Sequence, residues 1–401
     1  MNKTKFKDTE LGSIPTDWDV LPIDSLIISM NDGPFGTKLK QEHYTLNREA
    51  RIIQLSNIGE NGWNDSNAKY TTFEYSKELP NHIVNPGDVI VAKMMPAGRA
   101  IICPNHEARF VQGSDAIKIK FDDSIDTRYF IYGTKGNGYL HLIEENTQGS
   151  TRQRIAITKY RKFPFIVPPK VEQLKIAKAL SDTDALIKEL DVLIEKKRAI
   201  LQGTMQELLT AHRRLSGFSE PWKEIPLAEY TTITMGQSPD SIYYNIIGDG
   251  LPLIQGNADI KNFQSIIRYY SSIYTKVCEP GDIIMSVRAP VGAVGIASFK
   301  SCLGRGVCSF SKDKFLFFVL RFREKNWEEL SAGSTFDSVN TSQISNFKIN
   351  IPNSIEEKDA IAEILSDMDS EISELEAKRD KYIAIRQGMM QQLLTGKIRL
   401  I

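Results

Sequence analysis

No apolar run of about 18 residues occurs anywhere in this 401-residue chain, so no membrane span is expected. The opening MNKTKFKDTE has no apolar core, so no secretory leader is expected either. Cysteine is scarce. Cys103, Cys278, Cys302 and Cys308 form no CxxC pair and no disulfide framework, which points to a reducing cytoplasm. Excess charge of one sign is also missing, since 50 basic residues balance 50 acidic ones. A nonspecific polycation is thereby excluded, while a local basic face is not. The chain carries no [ND]PP[YF] methyl-transfer motif, GxGxxG fingerprint, Walker A loop or HExxH helix. Its five histidines (His43, His82, His106, His141, His212) are scattered without zinc spacing, so no metal site is expected. A nuclease centre needs only two acids and a lysine, so composition leaves that class open.

What the chain does have is a repeat. QGTMQELLT at 202–210 returns as QGMMQQLLT at 387–395, and Ser181–Thr210 aligns with Ser366–Thr395 without gaps at roughly half identity. In the first copy Leu180, Ile187, Leu190, Ile194, Leu201 and Leu208 recur at three- and four-residue steps. In the second, Leu365, Ile372, Leu375, Tyr382 and Leu393 keep the same phase. This is the apolar seam of a long helix. Pro168-Pro169 marks the first start, and Ser354 with Glu357 reads as a capping box at the second. Some 40 residues rising ~1.5 Å each give a rod of about 60 Å, which must bury its seam against a partner. The nearest partner is its own copy.

The segments before each helix repeat more weakly. Trp18–Pro22 faces Trp222–Pro226, PGDVIVAKMMPAGRAII faces PGDIIMSVRAPVGAVGI, and QGSTRQRI faces AGSTFDSV. Short β-rich runs dominate there: Asp88–Ala92, Ala116–Phe121, Asp282–Val287 and Phe347–Ile351. The expected fold is mixed α/β and strand-rich, with two repeated domains, each followed by a long helix. The boundaries follow as a first domain over 1–168, a central helix over 169–212, a second domain over 213–352 and a C-terminal helix over 353–401.

With ELGSIPTDWDV near the start, DGPFGTKLK from Asp32, PGDIIMSVRAPVG from Pro280, LGRG from Leu303 and the twin QGxMQxLLT helices, the chain resembles the DNA specificity subunit of Type I restriction-modification systems. The resemblance covers essentially the whole length. It implies two pseudo-twofold target recognition domains, each reading one part of a bipartite double-stranded DNA site, and an antiparallel coiled coil of the two long helices that spaces them. It further implies docking of two modification subunits that methylate adenine with S-adenosylmethionine, and of restriction subunits that use ATP and Mg for translocation and cleavage. This chain would then hold no cofactor and carry no catalysis. Two other classes stay open on the residues: an enzyme with its own cryptic nuclease or methyl-transfer centre, and a coiled-coil scaffold without sequence preference.

Affinity for DNA needs phosphate contacts and sequence choice needs base-edge contacts. DGPFGTKLK sets Lys38 and Lys40 beside two glycines, as a DNA-facing loop or an ordinary turn. Gln148, Ser150, Thr151, Arg152, Gln153 and Arg154 concentrate donors and acceptors; arginine suits guanine and glutamine adenine. The matching loop keeps Ser334, Thr335, Asn340 and Gln343 but has no arginine, so its readout would differ. Lys93, Arg99, Arg288 and Arg305 are either surface charge or DNA contacts. Gly203 and Gly388 sit inside helices, where glycine costs about 1 kcal/mol relative to alanine. Close approach of another helix or docking of a partner subunit would explain them, as would a tolerated kink. The SDxD aspartates lack a third ligand and read as a solvated helix face.

Overall fold

The computed structural model describes residues 4–34, 38–147, 154–324, 327 and 338–401. The chain divides into two compact units, Met1–Glu189 with Arg379–Ile401, and Leu190–Lys378. Each is built from two larger sheets, with short two-stranded ribbons beside them, and from part of each long helix.

In the first unit an antiparallel sheet runs in the order Ala100–Ile102, Val89–Ala92, Ala116–Phe121, Ile27–Asp32. A second, mixed sheet runs Ile83–Val84, Phe110–Gln112, Ala50–Ile53, Tyr70–Thr71, Tyr44–Thr45, with one parallel pairing between Phe110–Gln112 and Ala50–Ile53. Val89–Ala92 is buried at every position because both its faces are covered. Val89 and Val91 enter the core shared with the helices, while Ile90 and Ala92 enter the core between the sheets. A period of two sorts one short run into two cores.

The second unit repeats this plan. Its mixed sheet runs Val277–Cys278, Ser301–Leu303, Leu251–Ile254, Tyr269–Ser271, Tyr244–Asn245, again with one parallel pairing. Ile283 and Met285 face the helix-side core and Ile284 the sheet-side core, as in the first unit. Ile260–Lys261 and Gln264–Ser265 extend its other sheet to six strands. The strands expected from sequence are present as Val89–Ala92, Ala116–Phe121, Ile283–Ser286 and Lys348–Ile351.

The long helices span Lys170–Leu209 and Ile355–Leu393. The first starts directly after Pro168-Pro169. They pack antiparallel in each unit. In the first, Thr183 meets Met389 at 3.7 Å and Asp184 pairs with Arg386, so position falls on one helix as it rises on the other. In the second, Lys197 reaches Glu371 at 2.8 Å and Arg198 reaches Glu376 at 2.5 Å. Leu180, Leu190, Ile194, Leu201, Leu208, Leu365, Ile372 and Leu393 are buried as the seam requires. Ile187, Leu375 and Tyr382 are half-buried.

Ser354 caps the second helix, its hydroxyl accepting from Glu357 N at 3.1 Å. The reciprocal half of the box is absent, because the Glu357 carboxylate is engaged elsewhere. It accepts from Arg214 Nε at 2.6 Å, from a second Arg214 nitrogen at 2.8 Å and from Trp222 Nε1 at 3.3 Å. The first unit carries the same device. Glu172 accepts two bonds from Arg399, each 2.8 Å, and one from Trp18 Nε1 at 3.0 Å. Arg399 also grips Asp17 at 2.9 and 2.7 Å. Thus the arginine that follows the end of each helix clamps a glutamate in the first turn of the other. Both carboxylates are almost fully buried and fully hydrogen-bonded, which is how charge survives burial. For Glu172, burial acts to raise the pKa, but the bonds from Arg399 and Trp18 outweigh it and hold the carboxyl below its usual range.

Candidate nucleic-acid interface

Polar loops gather at matched edges of the two units. Each GST loop ends on a residue tied to the loop that follows the PGD strand. In the first unit Ile155 N donates to Lys93 O at 3.0 Å and Arg154 bridges Met94. In the second, Val339 N donates to Val287 O at 3.0 Å and Arg288 bridges Ser338. Beside them lies a tight turn, Gln112–Asp115 in one unit and Leu303–Gly306 in the other. Gly113 N bonds Ile53 O at 3.0 Å, and Gly304 N bonds Ile254 O at 2.7 Å. A Cβ on Gly113 would lie 2.3 Å from Ile53 O, and one on Gly306 would lie 2.1 Å from Gln255 O. Glycine lets the turn close on its neighbour strand. Between the glycines Arg305 is exposed, its backbone N held by Ser238 Oγ at 2.9 Å, whereas the matched turn of the first unit carries Ser114.

The predicted residues fall into three groups. Gln148, Ser150, Thr151, Arg152, Gln153, Ser334 and Thr335 lie outside the described residues. Lys38, Lys40, Arg288 and Arg305 are exposed. Among the described residues no side-chain hydrogen bond or ion pair occupies Lys38, Arg288 or Arg305, while Lys40 sits 3.4 Å from Glu42. The rest are engaged within the protein. Lys93 is 3% exposed, its ammonium paired with Asp32. Arg154 donates to Asp115 at 2.7 Å, and Arg99 to Ile58 O at 3.4 Å. Asn340 and Gln343 cap the helix Thr341–Ser345 reciprocally, at 3.0 and 2.9 Å. That box is readable in sequence as Asn-x-x-Gln before a short helix.

Two further motifs have defined surroundings. Gly33, the first glycine of DGPFG, closes on the protein's own Gly113, where a Cβ would stand 2.2 Å from the carbonyl oxygen. The second aspartates of the SDxD pairs are not a solvated face. Asp184 accepts from Tyr132 at 2.7 Å and pairs with Arg386, and Asp369 accepts from Arg321 at 2.7 Å. They brace helix against domain. No group of three metal-ligating side chains occurs among the described residues, nor is any helix long and apolar enough to cross a membrane. At Gly203 and Gly388 an added Cβ meets nothing within 4 Å, so among the described residues no other helix closes on either.

Two sheet-built units of one topology, sharing a pair of antiparallel long helices, are the fold of the specificity chains of type I restriction systems. The crystal structure of such an S subunit from M. genitalium superposes with a TM-score of 0.65 at 16% identity, covering 98% of this chain and 97% of that one. A chain from a type I R-M system solved for its complex assembly and conformational transition gives 0.57 at 20% identity, covering 96% and 99%. The chain belongs to the family of the Type I restriction modification DNA specificity domain, whose model matches residues 15–196 and 219–384. A Methanocaldococcus jannaschii protein assigned as the MjaX type I restriction enzyme specificity subunit is 28% identical, over 98% of this chain and 96% of its own. The MjaVIII specificity subunit of the same organism is 26% identical over 72% and 74%. DNA sequence recognition within a type I restriction-modification system is therefore this chain's function.

Proposed function

We propose that the chain is a noncatalytic reader in which each unit recognises one part of an asymmetric, bipartite double-stranded site. The observation that carries this is the matched turn bearing Arg305 in one unit and Ser114 in the other. One topology presents a guanidinium in one place and a hydroxyl in the equivalent place, and these favour different base edges. Lys38, Lys40, Arg288 and Arg305 are the described residues offered to DNA, together with the two GST loops. Lys93 is withdrawn from that role by its burial beside Asp32, and Asn340 and Gln343 by their mutual cap. The domain boundaries near 168, 212 and 352 remain our working division of reader and spacer.

Partner docking is part of the same reading. Ile200 and Ile385 stand one turn before Gly203 and Gly388, at repeat-equivalent positions, and both are exposed. Two like apolar steps beside two open glycine faces suit two copies of one partner. We assign them to two modification subunits, which would supply S-adenosylmethionine and the adenine methyl transfer. Restriction subunits would add ATP- and Mg-dependent cleavage, and this chain itself would hold neither cofactor nor metal. Genome-wide mapping of methylated adenine in cells with and without the chain tests this. A bipartite, asymmetric motif that vanishes with the chain is the expected result. Loss of no motif would overturn the reading, and nuclease or methyl-transfer activity of the purified chain alone would favour a cryptic enzyme.

A further inference from the structure

A cleft of about 420 Å³ in the first unit opens between the second long helix and the loop that follows the PGD strand. Three cations line it: Arg99 from that loop, Lys135 from the turn after the helix Thr127–Gly133, and Arg386 from the long helix. Asp184 faces Arg386, yet among the described residues no carboxylate lies within 4.0 Å of Arg99 or Lys135. Glu60 also lines the cleft without ion-pair contact to any of the three. Burial, and next the charge of Arg386, hold the Lys135 ammonium below its usual pKa against the opposing pull of Asp184 and Glu60, with Arg99 adding a smaller repulsion. Like charges gathered in a half-buried cleft raise the free energy of the empty site, and an anion would lower it.

The matched cleft of the second unit, about 460 Å³, lacks this arrangement. Leu201 stands at the repeat position of Arg386. Its two arginines are closed by carboxylates, Arg198 by Glu195 and Glu376, and Arg321 by Asp369. The two lining cations without a carboxylate partner among the described residues, Arg99 and Lys135, thus belong to one unit, and they adjoin its candidate reading edge. The loop carrying Arg99 begins at Met94, which bridges Arg154 at the end of the GST loop.

We propose that this cleft binds a backbone phosphate of the DNA, with Arg99, Lys135 and Arg386 as its ligands. The inference rests on the DNA-reading function above and adds contacts to it that carry no sequence information. Two forked guanidinium groups and one ammonium suit a phosphodiester, whose oxygens accept from several directions. Continuity with Arg154 favours DNA over an acidic segment of a partner protein.

Salt dependence of binding tests it. Full-length wild type, Lys135→Gln, Arg386→Gln and Arg386→Lys are titrated against a random-sequence duplex over a series of NaCl concentrations. Each lost phosphate contact lowers the slope of log K against log salt by about 0.9. Lys135→Gln should show that loss at unchanged melting temperature; Arg386→Gln, which also removes the brace to Asp184, should show it with a lowered melting temperature, and Arg386→Lys should restore most of both. An unchanged slope in Lys135→Gln, with wild type binding DNA normally, overturns the cleft and leaves the reading intact. Wild type that binds no duplex at low salt overturns the reading itself. Inorganic phosphate bound at the cleft with an unchanged DNA slope also refutes the proposal.

Discussion

Arg399 shows what a single residue near the end of the chain can hold. Its guanidinium satisfies Glu172 and Asp17 at once, and Trp18 lies beneath it at 5.6 Å. Arg399→Met leaves the Glu172 carboxylate buried without its cation, which costs about 3–5 kcal/mol. Urea denaturation should show that loss as a lower midpoint with unchanged slope. The sign of the pH dependence follows from the lowered Glu172 pKa. The clamp contributes its full stability above the unfolded value of 4.5 and loses it as pH falls through the folded one. Wild type should therefore lose more stability on acidification below about 4.5 than Arg399→Met, whose clamp is already gone. The cysteines make a second residue-scale case. Burial, and then Asp88, push the Cys103 thiol up to about 12, while burial raises Cys278 and Cys302 to about 11. Burial also raises Cys308. Thiol reagents at neutral pH should find no fast-reacting cysteine in the native chain and four after unfolding.

Among the elements, the long helices were the most legible in advance. Their seam and their starts follow from a 3.6-residue period, two prolines, a serine and the repeat itself, and their antiparallel pairing from the resemblance to specificity subunits. Less legible was what the helices do at their sides. Asp184 and Asp369 look like ordinary surface acids until Tyr132, Arg386 and Arg321 are brought beside them. Periodicity reports which face is apolar, but names no partner for a polar residue at the edge of that face. Two predictions belong here. Ile200→Glu and Ile385→Glu should each weaken binding of a modification subunit at least tenfold by titration calorimetry. Thermal stability should stay unchanged, because both side chains are exposed. Inserting seven residues into both helices, near 189 and 379, preserves the seam phase and lengthens the rod by about 10 Å, or about three base pairs. The methylated motif should keep both half-sites and gain that spacing; altered half-site bases would refute the role of the helices as a spacer.

For the molecule as a whole, duplication sets the plan and divergence sets the use. Both units keep the order of five strands in the mixed sheet, with the same single parallel pairing, although their sequences agree only at anchors. On the proposed reading, the choice of half-site rests on where they differ. Arg305→Ala should change or weaken recognition at one half-site while the other stays intact, read from the methylation motif. Equal loss at both half-sites would mean that Arg305 supports the fold instead. From the sequence alone came the repeat, the two rods, the strand-rich class, the missing catalytic motifs and the resemblance to specificity subunits. All of these are properties of order and period along the chain. Only the tertiary structure withdrew Lys93 into a pair with Asp32, closed Asn340 and Gln343 on each other, redirected Glu357 to Arg214, and gathered Arg99, Lys135 and Arg386 around one cleft. A charged or amide side chain has several compatible partners of nearly equal strength, and the folded path of the backbone decides which of them comes within 3 Å.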